Sequence, residues 1–296
     1  MQLLISKKTN LVNSIILHNP EIELNHINIQ HFSDGEILPI IPNSVRNKEV
    51  HLLFQPKTSV DIMEMFLCID ATRRAGARKM NLILPYHVYS RQDKPDHNRS
   101  SIGSKMIADF IEKSGISTIT TMDLHAQSIF GFYSIPLLQV NAMDVFIPYL
   151  KTLSNMDNTV LVSPDQGGFK RVSSYQKELN SATIAVINKV RIRPNEVASM
   201  DLIGNVKDKD VIIIDDIADT LGTLSLAAKK LKEEGANKIM AAITHPILSG
   251  KAYENLNDSF IDKLIVTDTL DVDLTKSNKI ELLTTQSCFK KILNFV

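Results

Sequence analysis

Short apolar runs alternate along the chain with longer stretches whose apolar positions recur at helical spacing. "EVHLLFQ" (49–55) reads as a strand, and "DIMEMFLCIDATRRAGA" (61–77) as an amphipathic helix closing near Gly76. "KMNLILP" (79–85) is the next strand, stopped by Pro85. A helix "SKMIADFIEKSG" (104–115) and a strand "STITTMDLH" (117–125) follow. The order then repeats: strand "NTVLVSPD" (158–165), helix "FKRVSSYQKEL" (169–179), strand "ATIAVIN" (182–188), strand "DVIIIDD" (210–216), helix "TLSLAAKKLKEEGA" (223–236) and strand "NKIMAAITH" (237–245). Near-continuous apolar strands separated by helices predict a mainly parallel sheet covered on both faces.

"RRAGARKMNLILP" and "KEEGANKIMAAIT" echo one another in a helix end, a Gly-Ala turn, a basic residue and a buried strand. The echo predicts an α/β protein of two similar domains, each a mainly parallel sheet flanked by helices, with the boundary near Pro148 to Asn158. Residues 1–147 would form the first domain and 148–296 the second. At 296 residues the chain has room for two domains of ordinary size.

Composition narrows the classes of function. Lys plus Arg equals Asp plus Glu, 33 of each, so bulk attraction to nucleic acid or to an anionic membrane is not implied. Cys68 and Cys288 are too few for a disulfide scaffold and lack metal-ligand spacing, which points to a reduced cytoplasmic protein. The N-terminal "MQLLISKKTN" lacks a signal peptide's order of regions, and no apolar run approaches membrane-spanning length.

Chemistry concentrates in "VIIIDDIADTLGT" (211–223). Adjacent carboxylates at the end of a buried strand repel each other, so something binding there should compensate. The loop Asp219-Thr220-Leu221-Gly222-Thr223 opens a helix, whose uncapped N–H groups and dipole favour phosphate. Gly222 permits close backbone approach, and the two threonines add hydroxyl donors. Asp215 and Asp216 suit sugar hydroxyls. A ribose 5-phosphate unit satisfies both halves; the alternative is an ordinary helix capped by Asp219.

This stretch resembles the phosphoribosyl-pyrophosphate loop shared by type I phosphoribosyltransferases and ribose-phosphate pyrophosphokinases. "FSDGEI" (32–37), "NSVR" (43–46), "PYHVYSRQD" (85–93), "DLHA" (123–126), "GFYSIP" (131–136), "VSPDQGGFKR" (162–171), "NKVRIR" (188–193) and "THPILSG" (244–250) resemble pyrophosphokinase motifs in family order over nearly the whole chain. The resemblance implies Mg2+-dependent transfer of the diphosphoryl group of ATP to the anomeric hydroxyl of ribose 5-phosphate. It further implies catalytic Lys189 and Arg191 on a mobile loop. Arg91 and Gln92 would contact ATP, while Phe32, Asp34 and Glu36 would reach the ATP of a neighbouring subunit. His125 and Asp165 would contact the metal. The sugar phosphate would lie against Asp215, Asp216, Asp219, Thr220, Leu221, Gly222 and Thr223. The assembly would be a homo-oligomer, a dimer or a hexamer built from dimers.

The chain also departs from the family pattern. The loop "QPKTSVDIMEM" is short, "KPDHNRSSIGSK" is less basic, "ISKKTN" replaces a glycine-containing motif, and the chain ends at "CFKKILNFV" without a serine-containing tail. These changes leave two alternatives beside the main reading: the same transfer to a larger acceptor such as ADP-ribose, and a non-catalytic regulatory homologue.

Overall fold

The computed structural model describes residues 2–153, 156–179, 183–193 and 196–293, with the backbone alone for 189–193, 196–200 and 290–293. The chain divides into two compact units. One holds Met1–Asn141, Thr269–Asp271 and Gln286–Val296, and the other Ala142–Asp268 and Val272–Thr285. The first unit contains β1 (Gln2–Ile5), α1 (Asn10–His18), β2 (Glu23–His26), β3 (Asn28–His31), β4 (Ile37–Ile40), β5 (Glu49–Leu53), α2 (Ser59–Arg74), β6 (Lys79–Ile83), α3 (Gly103–Lys113), β7 (Thr118–Met122) and β8 (Leu137–Val140). Its main sheet runs β2-β1-β5-β6-β7-β8 with every pair parallel, and β3–β4 is a separate antiparallel hairpin. All but the first residue of β5, β6 and β7 are buried, as parallel strands with helices on both faces require.

The second unit contains α4 (Met143–Leu153), β9 (Thr159–Ser163), α5 (Phe169–Leu179), β10 (Thr183–Arg193), β11 (Glu196–Ile203), β12 (Asp210–Ala218), α6 (Gly222–Glu233), β13 (Ile239–Pro246), α7 (Ala252–Asn257), β14 (Lys263–Thr267) and β15 (Ile280–Leu283). Its sheet runs β11-β10-β9-β12-β13-β14-β15, parallel except for β10–β11. The last helix, α8 (Gln286–Leu293), belongs with the first unit and packs on α1. The boundary expected between 147 and 148 lies inside α4; the compact units part after Asn141, because α4 packs on α5 of the second unit.

α2 begins before the apolar periodicity does. Thr58 accepts from the Asp61 N–H at 3.2 Å, and the Asp61 carboxylate accepts from the Thr58 N–H at 2.8 Å, a reciprocal cap. Lys7 donates to the same carboxylate at 2.5 Å.

The repeat in the sequence is also a repeat in backbone conformation. Gly76 and Gly235 close α2 and α6 at φ +87° and +86°, where a side chain is strained. Each glycine carbonyl accepts from a residue in a second echo, "VRNKEV" (45–50) and "VKDKDV" (206–211). Asn47 donates to Gly76 at 2.7 Å and Asp208 to Gly235 at 2.9 Å, both donors having φ 59°. Within these turns Lys48 donates to Val45 and Lys209 to Val206. Asn and Asp tolerate the left-handed region better than other non-glycine residues. The two units thus use the same strand-entry turn, docked on the same helix-exit glycine.

Candidate active site

β9 and β12 are adjacent parallel strands, and the loops leaving their carboxyl ends meet in the second unit. β12 continues through Ala218, so Asp215 and Asp216 lie in its last turns of pleat rather than at its end. The group compensating their repulsion is Arg171, on the first turn of α5. Its guanidinium donates to Asp215 Oδ1 at 3.3 Å and to Asp216 Oδ1 at 3.0 Å. Asp216 N–H also donates to Asp215 Oδ1 at 2.9 Å. Asp216 is buried, and Asp215 keeps about a quarter of its side chain exposed. Burial and then the neighbouring Asp216 charge push the Asp215 carboxyl above the ordinary carboxylate range, while Arg171 pulls it back. Arg171 lay within a quoted motif, but sequence spacing gave no sign of this partnership, because the pair joins a helix to a strand 44 residues away.

The loop after β12 is held from one side. Leu248 N–H donates to the Ala218 carbonyl at 3.1 Å and Ser249 N–H to the Asp219 carbonyl at 3.2 Å. Ser249 Oγ donates to Asp219 Oδ1 at 2.5 Å, and Asn255 Nδ2 to the Thr220 carbonyl at 2.8 Å. Asp219 is therefore not the helix cap. The cap position is Leu221, left-handed at φ 61°, with no side-chain cap bond. Its side chain, 4% exposed, packs in the unit's core, so Leu221 offers a ligand only backbone. The start of α6 is thus left without a capping side chain, as an anion site requires. A Cβ at Gly222 would meet only Thr220 Oγ1, at 3.8 Å, so internal packing does not demand glycine there.

β9 leads into Asp165, an exposed residue whose Oδ1 accepts from Gly168 N–H at 2.9 Å. β10 pairs with β9 up to Val186 opposite Ser163 and then runs on to Arg193 as a hairpin with β11. Lys189 and Arg191 therefore sit on a strand that projects past the carboxyl edge of β9. The antiparallel partner supplies their backbone bonds, and the ladder changes register between Val190 and Arg191. The side chains of Lys189 and Arg191 lie outside the described residues. Gln166 Nε2 donates to Asn188 Oδ1 at 2.9 Å, tying this projecting strand to the Asp165 loop.

In the first unit, Arg91 and Gln92 follow β6, and His125 follows the adjacent β7, so all three lie at one sheet edge. Ser104 caps this arrangement through the Gln92 carbonyl, with N–H at 3.3 Å and Oγ at 3.0 Å. A Cβ at Gly103 would lie 2.5 Å from Gln92 Oε1, so the Gln92 side chain rests directly on the start of α3. His125 is exposed. Phe32, Asp34 and Glu36 occupy the tip of the β3–β4 hairpin, closed by Phe32 N–H to the Glu36 carbonyl at 2.9 Å and Glu36 N–H to Asp34 Oδ1 at 3.0 Å. A groove of about 670 Å3 lies between this tip and α2, lined by Asp34, Glu36, Val60, Met63 and Leu67.

Left-handed backbone collects in these loops. Tyr89 and Asp123 in the first unit, and Leu221 and Leu248 in the second, all have positive φ without being glycine. Such conformations cost energy and recur where a loop must present groups in a set geometry. Among the described residues, no three His, Cys, Asp or Glu side chains form a ready-made cation cage.

The model of the N-terminal domain of ribose phosphate pyrophosphokinase matches residues 1–115, and that of the phosphoribosyl synthetase-associated domain matches 181–288. The ribose-phosphate pyrophosphokinase of Porphyromonas gingivalis is 38% identical over 274 residues, covering 92% of this chain and 87% of that one. Ribose-phosphate pyrophosphokinase 1 of Listeria innocua is 42% identical over 251 residues, covering 84% and 79%. The crystal structure of phosphoribosylpyrophosphate synthetase from Mycobacterium smegmatis aligns with a TM-score of 0.90 at 28% identity, covering 99% of this chain and 97% of that one. The chain is a member of the ribose-phosphate pyrophosphokinase family and an enzyme of that type.

Proposed function

We propose that the enzyme transfers the β,γ-diphosphoryl group of ATP to the anomeric hydroxyl of ribose 5-phosphate, releasing AMP. The observation that carries this reading is the edge formed by β9, β10 and β12. There a carboxylate pair held by Arg171 lies next to an uncapped helix start. The 5-phosphate sits at the first turn of α6, beside Thr220, Gly222 and Thr223. Asp215 and Asp216 accept from the ribose diol, and Asp219, fixed by Ser249, shapes the turn between them. Lys189 and Arg191 stabilise charge developing on the transferring phosphoryl oxygens, and Arg91 and Gln92 hold the nucleotide.

The metal is Mg2+. It would keep several waters and bind through one or two carboxylates plus substrate phosphates, and so would need no protein cage. The exposed Asp165 and His125 suit that mode, the carboxylate directly and the imidazole through water. When bound, the ion neutralises phosphate charge and aligns the transferring group.

The assembly is a homodimer or a hexamer built from dimers, with the hairpin tip of one subunit reaching the ATP of another. Its support is the exposed Val60 and Met63 along the groove, with the half-exposed Phe32 on the same hairpin tip that supplies Asp34 and Glu36 to it. The site of action is the cytoplasm, in keeping with two free buried thiols; no helix among the described residues is long and apolar enough to cross a membrane.

The test is AMP formation from ATP and Mg2+ with a panel of acceptors, ribose 5-phosphate and ADP-ribose side by side. Turnover with ribose 5-phosphate is expected. Turnover confined to ADP-ribose would move the assignment to the larger acceptor, and none with either in folded protein would refute the reaction. Lys189→Ala is expected to lower kcat roughly 100- to 1,000-fold while changing ATP affinity little. An increase in KM with kcat unchanged would contradict that role.

A further inference from the structure

His87 is almost wholly buried in the loop that carries Arg91 and Gln92. Its Nδ1 lies 3.0 Å from the Val88 carbonyl, which can only accept, so Nδ1 carries the hydrogen. Nε2 then accepts from the Tyr133 hydroxyl at 2.7 Å. The two rings meet edge to face, with centroids 5.9 Å apart. Burial pushes the His87 pKa down to about 4, which keeps the ring neutral and Nε2 an acceptor at physiological pH.

Tyr133 ends a short 3-10 helix, Gln127–Phe132, that starts two residues after His125. Ser128 on that helix donates to Asp93 Oδ2 at 3.1 Å, a second tie to the same loop. Beyond Tyr133, the Ser134 and Ile135 N–H groups donate to the Glu112 carboxylate near the end of α3. Gln92 is bonded to Ser104 at the start of that helix. The ties close a ring: α3 start, Gln92, His87, Tyr133, Glu112, α3 end. Arg91 and Gln92 lie inside it, and His125 lies on its border.

We propose that the His87–Tyr133 pair is a positioning strut that sets the Arg91–Gln92 loop in register with the His125 loop, and so places the nucleotide's phosphates against its metal. Neither residue is among those assigned to substrate. The inference rests on the assignment of Arg91 and Gln92 to ATP. The hydroxyl supplies direction that ring packing cannot, because an edge-to-face contact tolerates rotation and sliding whereas a 2.7 Å hydrogen bond does not.

The test compares Tyr133→Phe and the double variant His87→Phe/Tyr133→Phe with wild type. It uses ATP binding by calorimetry in Mg2+, separate KM values for ATP and ribose 5-phosphate, and Tm. Tyr133→Phe leaves a buried imidazole nitrogen unpaired. It is expected to weaken ATP binding and raise KM for ATP roughly 5- to 10-fold, with KM for ribose 5-phosphate unchanged. The double variant removes both partners of the His87–Tyr133 bond but leaves the Val88 carbonyl without its donor, so its Tm is expected to recover only in part while KM for ATP stays raised. Wild-type affinity for ATP in either folded variant overturns the strut and leaves a merely structural pair. Wild-type protein that binds no ATP overturns the nucleotide assignment and the strut together.

Discussion

At the scale of single residues, the informative feature is a charge balance completed from outside the motif. Asp215 and Asp216 stand side by side in a mostly buried strand, and Arg171 is the cation that offsets them. Removing it leaves two carboxylates with less compensation, a change that costs about 2–4 kcal/mol where the site is largely desolvated. The pH dependence has a definite sign. The folded-state pKa of Asp215 is raised, so above the ordinary value of 3.8 the folded chain holds a proton that the unfolded chain has lost. That contribution to stability is present at low pH and disappears as pH rises through the raised value. Arg171→Met is expected to lower Tm most at pH 8, with the gap to wild type narrowing toward pH 5 as the pair takes up its proton. A gap that is constant over this range in thermal melts would show that Arg171 acts only by packing.

At the scale of elements, the turn into α6 combines strain with burial. Leu221 pays for its left-handed backbone by placing a side chain in the core. Truncation to Ala forfeits about 2–4 kcal/mol of burial and cavity energy and keeps a Cβ in a region costing about 1–2 kcal/mol. Truncation to Gly loses a little more burial but releases that strain. Leu221→Gly is therefore expected to be at least as stable as Leu221→Ala in chemical denaturation, the reverse of an ordinary buried site. An Ala variant more stable by about 1 kcal/mol would mean that the left-handed turn does not persist in solution. Sequence reading placed the T-x-G-T turn at the head of α6 and grouped Leu221 with the sugar-phosphate residues; the structure buries its side chain. One-dimensional spacing shows that a turn exists and says nothing of which way its apolar member faces.

At the scale of the whole molecule, one α/β plan is used twice, each time with the strand-entry turn docked on a positive-φ glycine. The first unit adds the β3–β4 hairpin, and with it exposed apolar surface that a monomer has no evident use for. Val60 and Met63 are 65% and 58% exposed on α2, beside the groove. Val60→Asp/Met63→Asp is expected to abolish the proposed association in sedimentation, with the fold kept in circular dichroism and activity lost along with association. A wild-type protein that sediments as a monomer, or a variant that stays associated, would exclude this face as the interface.

The sequence by itself located the central buried strands and the helices between them, the echo of the two halves and the T-x-G-T turn at the head of α6. Strand burial, helix periodicity and loop chemistry are local, and each leaves a mark within about a dozen residues. Only the tertiary structure decided which residues share a bond: Arg171 with Asp215 and Asp216, Ser249 with Asp219, Tyr133 with His87. It also decided that β10 runs past the edge of β9 as a hairpin carrying Lys189 and Arg191, and that α8 returns to the first unit. Those outcomes come from sheet register and chain crossing, which set distances between residues far apart in sequence and so leave no trace in local spacing.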